Sequence, residues 1–266
     1  MAAQRLPLRL FRTSAGAAPR ALVRELTGAD ELAIDGVGTR AAMALLSRLV
    51  SFDAPLAAEK LNASDRDWLL AALYRLTYGE RVSSTIRCGA CQGSFDLDFS
   101  LAEIARQLAI TQAEAIQSIV DDVVVTRDGV SVRIPDGDDE LSASELPMRE
   151  AREQLVSRCD TGASTAASDP ASVLERVAPI FDFELDAKCA ECGHAQPVSF
   201  DLQSFLLRRL LGDRAQLHAD IHALAGSYGW SLGEILALTR RQRRSFVDTL
   251  DTAHRRASDA RRRSAR

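Results

Sequence analysis

A chain of 266 residues with 46% hydrophobic, 26% charged and 5% aromatic residues has the composition of an ordinary globular protein, and no apolar run approaches the roughly 18 residues of a membrane span. The net charge of -4 is unevenly spread: ten arginines against Asp248, Asp251 and Asp259 give +7 over residues 240–266, which leaves -11 on the rest and argues against a dedicated nucleic-acid binder with one basic face. Residues 1–20 contain basic side chains but no apolar stretch of a secretory signal, so the expected compartment is the cytoplasm.

Residues 1–20 read as a flexible or strand-like N-terminus, with a loose alternation over Arg5 to Arg12 and small residues from Ser14 to Pro19. Residues 21–81 read as helical. Thr39 is placed to cap a helix carrying Met43, Leu45, Leu46 and Leu49, and a second helix starts after Ser64, with Leu69, Leu70, Leu73 and Leu76 on one face and Gly79 at its end. Gly36-Val37-Gly38 lacks a phosphate-binding context and reads as a turn.

The pattern then changes to that of strands. Val82 to Arg87 runs into Cys88, and Ser94 to Phe99 returns from Cys91, so 82–100 is predicted as a hairpin with Gly89 and Gly93 easing the turn. Residues 101–159 form an insertion. It opens with the capping sequence Ser100-x-x-Glu103, carries a hairpin signal at Asp128-Gly129 between Val123–Thr126 and Val130–Ile134, and ends in a helix expected to start at Ser142-x-x-Glu145. Asp136-Gly137-Asp138-Asp139-Glu140 lacks a calcium-loop pattern and reads as an acidic loop.

Residues 160–172, rich in Ser, Ala, Thr and Gly, read as a linker. Residues 173–202 read as a second hairpin: Ile180 to Lys188 alternates into Cys189, and Gln196 to Leu202 returns from Cys192. Residues 203–254 read as helical, with a capping box at Ser231-x-x-Glu234, and 255–266 as a basic, disordered tail. An internal repeat joins the hairpins: each C-x-x-C is followed by Phe-Asp-Leu, at Phe95–Leu97 and at Phe200–Leu202. The fold class expected is α+β, with helical N- and C-terminal parts around two zinc-knuckle hairpins and a central insertion.

Cys88, Cys91, Cys189 and Cys192 are the candidate metal ligands. Two sulfurs on one tight turn can face a common ion, and four thiolates satisfy a tetrahedral zinc with no water. Nearly a hundred residues separate the pairs, but long insertions add little loop-closure entropy. The expectation is one structural zinc per chain. The competing readings are buried apolar cysteines, a redox C-x-x-C, which would open a helix after a strand, and replacement of one thiol by His194. Cys159 stands alone and reads as a free thiol. His218 and His222 lie four apart on one helix face with no third ligand in sight. There is no G-x-S-x-G, H-E-x-x-H or Walker loop, and a closed four-thiolate site offers no open coordination position, so no enzyme and no small-molecule substrate are expected.

Three stretches in order carry a family resemblance: Leu26-Thr27-Gly28-Ala29-Asp30-Glu31; Asp65-Arg66-Asp67-Trp68-Leu69-Leu70 through Thr77-Tyr78-Gly79-Glu80 into Cys88-x-x-Cys91; and His222 to Ser231 with Tyr228-Gly229-Trp230-Ser231, then Glu234 to Leu238 and Arg240 to Arg244. Together, over about residues 20–250, they resemble the baseplate hub assembly chaperones of contractile tailed phages, in the form found in phage-tail-like contractile injection systems. The resemblance implies a non-enzymatic assembly factor whose partners are baseplate hub or tape-measure-like proteins, without nucleic acid or membrane. The alternatives are a zinc-ribbon nucleic-acid or transcription-associated module, supported by the basic C-terminus, and a permanent structural subunit of the baseplate.

Overall fold

The computed structural model describes residues 3–12, 16–161 and 169–264; parts of the small-residue stretch (13–15) and of the expected linker (162–168) lie outside the described residues. Helices and small antiparallel sheets combine in an α+β architecture. Strands β1 (Ala3–Pro7), β2 (Arg20–Arg24) and β3 (Val50–Phe52) form a three-stranded sheet in that order. The expectation that 21–81 is helical therefore fails at β2 and β3. The alternation of buried Ala21 and Val23 with Leu22 and Arg24 is too short to stand out from a Leu- and Ala-rich background.

Helix α1 (Gly28–Leu32) begins at a capping box between Thr27 and Asp30. In α2 (Thr39–Leu49) the cap is Gly38, and the Thr39 hydroxyl turns to Glu140 instead. Helix α3 (Ala63–Tyr78) is capped by Asn62 and ends at Gly79, which has φ +90° and so favours glycine. Its first turn buries three charged side chains, and each is used. The Asp65 carboxylate accepts from the backbone N–H groups of Arg9, Leu10 and Phe11 and so pins the N-terminal segment. Arg66 grips Glu140 with both guanidinium nitrogens, and Asp67 accepts from the Phe181 N–H. Burial raises the carboxyls of both Asp65 and Asp67.

Strands β4 (Arg81–Arg87) and β5 (Ser94–Ser100) make the first hairpin, followed by α4 (Leu101–Ala115). In the insertion, β6 (Ile116–Val120), β7 (Val123–Thr126) and β8 (Ser131–Arg133) form a meander rather than a lone hairpin. Helix α5 (Gly137–Ala143) starts five residues before the expected Ser142, because Asp136 and Asp139 form a capping box. The predicted acidic loop is thus a helix N-terminus, where carboxylates meet unpaired N–H groups and the positive end of the helix dipole. Asp139 also pairs with Arg133 and Arg158.

Helix α6 (Met148–Cys159) follows Pro147, and α7 (Pro170–Val177) occupies residues that had been assigned to the second hairpin. Asp169 followed by Pro170 supplies the start signal of α7. The hairpin proper is β9 (Asp182–Lys188) and β10 (Ala195–Asp201), leading into α8 (Leu202–Gly212). Helices α9 (Arg214–Tyr228), α10 (Leu232–Ala237) and α11 (Arg240–Ser264) complete the chain. Helix α11 runs through 255–264, where an unstructured tail was expected. The segment has no Gly or Pro and is rich in Ala and Arg, so local propensity favours helix.

The main core joins the N-terminal sheet, α2, α3 and α8 through Leu46, Leu69, Leu73, Tyr74, Leu206 and Leu210. A second core under the insertion includes Val124, Val132, Val173 and Val177. Both hairpins root in the main core: the Phe200 ring lies 5.0 Å from Phe99 and 5.3 Å from Phe183.

Candidate metal centre

The two hairpins are built on one plan, residue for residue. Each position in the second follows its counterpart by 101, from Cys88 to Cys189, Cys91 to Cys192 and Ser100 to Asp201. Cys88 N–H donates to the Gly93 carbonyl, as Cys189 N–H does to His194, both at 2.9 Å. Gln92 N–H donates to Cys88 O, as Gly193 N–H does to Cys189 O. Gln92 (φ 61°) and Gly193 (φ 73°) hold the same left-handed turn. Gly89 and Gly93, to which the sequence assigned the turning, do not have positive φ. Gly93 instead leaves room, since a Cβ there would sit 3.3 Å from Cys91 Sγ. The plan extends past the strands. Leu101 N–H donates to Glu80 O and Leu202 N–H to Phe181 O, while Ser100 caps α4 and Asp201 caps α8. In this register Phe200-Asp201-Leu202 matches Phe99-Ser100-Leu101, so the repeat seen at Phe95–Leu97 is displaced by four residues from the structural one.

The hairpin tips meet. Sγ of Cys88 lies 3.6 Å from Sγ of Cys192, and Sγ of Cys91 lies 3.8 Å from Sγ of Cys189, across 104 and 98 residues of sequence. All four sulfurs fall within 4.8 Å of one another. A tetrahedral ion with metal–sulfur bonds of about 2.3 Å requires sulfurs about 3.8 Å apart, so the four cysteines form a site that could hold a metal ion. Cys88 and Cys189 are buried, Cys91 and Cys192 exposed. Phe95 and Ala187, with Ile86, Leu97 and Val198, pack beneath them. Four clustered thiols without a cation cannot all ionise. The N–H groups of Cys91 and Ala90 bring the Cys88 thiol down to about 6. The Gly93 N–H favours a thiolate at Cys91 too, yet hydrogen bonding with Cys192 and burial push that thiol up to about 12.

Gln196 is a contributor that the sequence did not single out. From β10, its amide oxygen accepts from Gly89 N–H at 2.8 Å and its amide nitrogen donates to Arg87 O at 3.1 Å, tying the second hairpin to the first knuckle. A lone Gln on a strand carries no sequence signal for this; its position four residues after Cys192 is the only clue.

The other candidates lie elsewhere. Cys159 is buried in the insertion core, its thiol bonded to Leu155 O and pushed up to about 11 by burial. The His194 side chain is exposed and only its carbonyl serves the knuckle. His218 and His222 are exposed on α9, and among the described residues the four cysteines alone form a metal-binding group. No helix among the described residues is long and apolar enough to cross a membrane. Comparison with protein-family models, curated proteins and solved structures found no match to this chain.

Proposed function

We propose that the chain is a non-enzymatic, cytoplasmic assembly factor for the baseplate hub of a phage-tail-like contractile injection system, and that Cys88, Cys91, Cys189 and Cys192 hold one structural zinc. The observation that carries the zinc reading is the set of four sulfurs on two matched knuckles at tetrahedral spacing. Zinc suits it because the ion has no redox chemistry of its own and accepts four thiolates without geometric strain. With all four positions taken by protein, the ion would organise structure rather than activate a substrate, and the two hairpins would be zinc knuckles flanking the insertion.

The assembly reading is supported by where the resemblance-bearing stretches lie. Gly28 N–H donates to Leu238 O, Thr27 bridges Thr239, and Glu31 pairs with Arg243, so the first and third stretches form one body. Tyr78 from the second stretch stacks beneath Arg240 and donates to Asp213. The partners in this reading are hub or tape-measure-like proteins. The test is an in-frame deletion in a cell carrying the intact injection-system cluster. Particle yield should fall while hub protein is still made, and purified particles should lack the chain. Normal yield would refute the reading, and stoichiometric presence in particles would instead favour a permanent subunit. The arginines of α11 favour one second reading, a zinc-ribbon nucleic-acid module, which requires salt-dependent DNA retardation in a gel.

A further inference from the structure

Two of the close sulfur contacts run from one hairpin to the other and join one exposed to one buried cysteine: exposed Cys192 with buried Cys88, exposed Cys91 with buried Cys189. That is the arrangement of a thiol that meets an oxidant paired with a thiol that resolves it. We propose that the cluster is also an oxidative modification site, where a hydroperoxide forms two disulfides between the hairpins, Cys88–Cys192 and Cys91–Cys189, so that a covalent clasp replaces the metal clasp. The inference rests on reading the four cysteines as one centre, but not on which ion they hold.

The chemistry balances in two steps per pair. The exposed Cys91 thiol gives up its proton and, through sulfur, attacks hydrogen peroxide. An S–O bond forms, the O–O bond breaks, and hydroxide leaves as water after taking a proton, giving a sulfenic acid. The Cys189 thiolate then attacks that sulfur. The S–S bond forms, the S–O bond breaks, and the oxygen leaves as a second water. Two thiolates thus supply the two electrons that reduce one peroxide. Cys192 and Cys88 consume a second peroxide in the same way, and an ion in the site is released because its ligands lose their charge.

The sulfurs of the two contacts already lie 3.6 and 3.8 Å apart, against the roughly 2.05 Å of a disulfide bond. A disulfide between hairpins also restrains a loop of about a hundred residues, whereas one inside a C-x-x-C restrains almost nothing. The oxidised protein would therefore keep its hairpins together after losing metal, and oxidation would conserve the fold rather than open it.

The full-length protein, treated with hydrogen peroxide in the presence of a chelator, alkylated and digested with trypsin without reduction, gives the answer. Cleavage after Arg87, Arg106, Lys188 and Arg208 places the pairs on separate peptides, 88–106 and 189–208. The expected species is the two peptides joined, with a mass four hydrogens below their sum, and its fragmentation spectrum should assign the pairs. The double variant C88S/C192S should still join them through Cys91–Cys189. Separate peptides each lacking two hydrogens, alkylated free thiols, or the opposite cross-pairing would overturn the proposal. The oxidised, metal-free protein should also melt near the metal-loaded form and well above the reduced, metal-free form; melting with the latter would equally overturn it. Elemental analysis of untreated protein tests the zinc reading separately: joined peptides from a zinc-free preparation would sink that reading and leave this one standing.

Discussion

The guanidinium of Arg243 on α11 donates to the carboxylate of Glu31 on α1 at 2.5 Å, and the two side chains are 1% and 2% exposed. Asp220 on α9 lies 4.0 Å from the same guanidinium, so one arginine ties three helices to two buried carboxylates. Removing one member of such a group strands a charge without a partner, which is more harmful than never having built the pair. Arg243→Ala should cost about 3–5 kcal/mol in urea unfolding. Replacing Arg243 by Met, Glu31 by Leu and Asp220 by Asn together should restore at least half of that loss. A triple variant no better than R243A would mean that the group stabilises through its charges rather than merely tolerating them.

The metal centre should behave as a single unit. Cys88→Ser and Cys189→Ser should each abolish bound zinc, lower the melting temperature by the same amount, and show no added loss when combined, because each destroys the same site. Strongly different or additive effects would indicate separate ions or none. Cys159→Ser should leave metal content unchanged.

Gln196→Leu offers a milder test. The change removes the bridge to Gly89 and Arg87 without touching a sulfur. Groups outside the ligand set that orient a metal site typically contribute 10–100-fold in affinity, and about 10-fold weaker zinc retention against a competing chelator is expected here. Unchanged retention would make the bridge incidental.

Gly137, the first residue of α5, packs so closely that a Cβ would fall 1.8 Å from Met43 Cε and 2.6 Å from the Glu59 carbonyl oxygen. The methionine tip can move, but the backbone oxygen cannot do so cheaply. Gly137→Ala should destabilise by about 1–3 kcal/mol, the usual range for overpacking. Gly212→Ala, with open space around it, should be neutral or slightly stabilising. Chemical denaturation of both variants makes the comparison.

Burial raises the Asp67 carboxyl to about 7, against about 3.9 in an unfolded chain. Between those values the folded protein keeps a proton that the unfolded chain has lost. The stability owed to this group is therefore complete below about pH 4 and is lost as pH rises through 7. Asp67→Asn keeps an acceptor for the Phe181 N–H and cannot titrate. The stability difference between variant and parent, followed from pH 5 to 8 with zinc saturating, should shift in the variant's favour as pH rises. A flat difference would show that Asp67 is ionised throughout.

Much of the site was legible because its signals are local. The spacing of Cys88 with Cys91 and of Cys189 with Cys192, the alternation of Asp182 to Lys188 and the Ser231 capping box are written in adjacent residues. What escaped depends on partners distant in the chain. Strand β2 is recognisable only beside β1 and β3, and Thr39 yields its capping role because Glu140 is within reach. The matching Phe-Asp-Leu letters stand four residues out of the structural register, because hydrogen-bond positions and not letter identity set it. Helix α7 was hidden by the flanking small-residue segment, although Asp169-Pro170 announces it.

The cysteine cluster also has a consequence for the order of events during synthesis. When Cys88 and Cys91 leave the ribosome, the residues that complete the site have not yet been made. At about 5–20 residues per second the second pair follows some 5–20 s later. For that interval the nascent chain offers only two thiolates on an unsupported hairpin, with Gly89 N–H lacking its Gln196 partner. An ion bound then would be shared with water and readily surrendered. Firm retention of an ion would begin only once residues up to Cys192 have emerged, so a bound metal would serve as a checkpoint showing that the whole insertion has been translated and looped back.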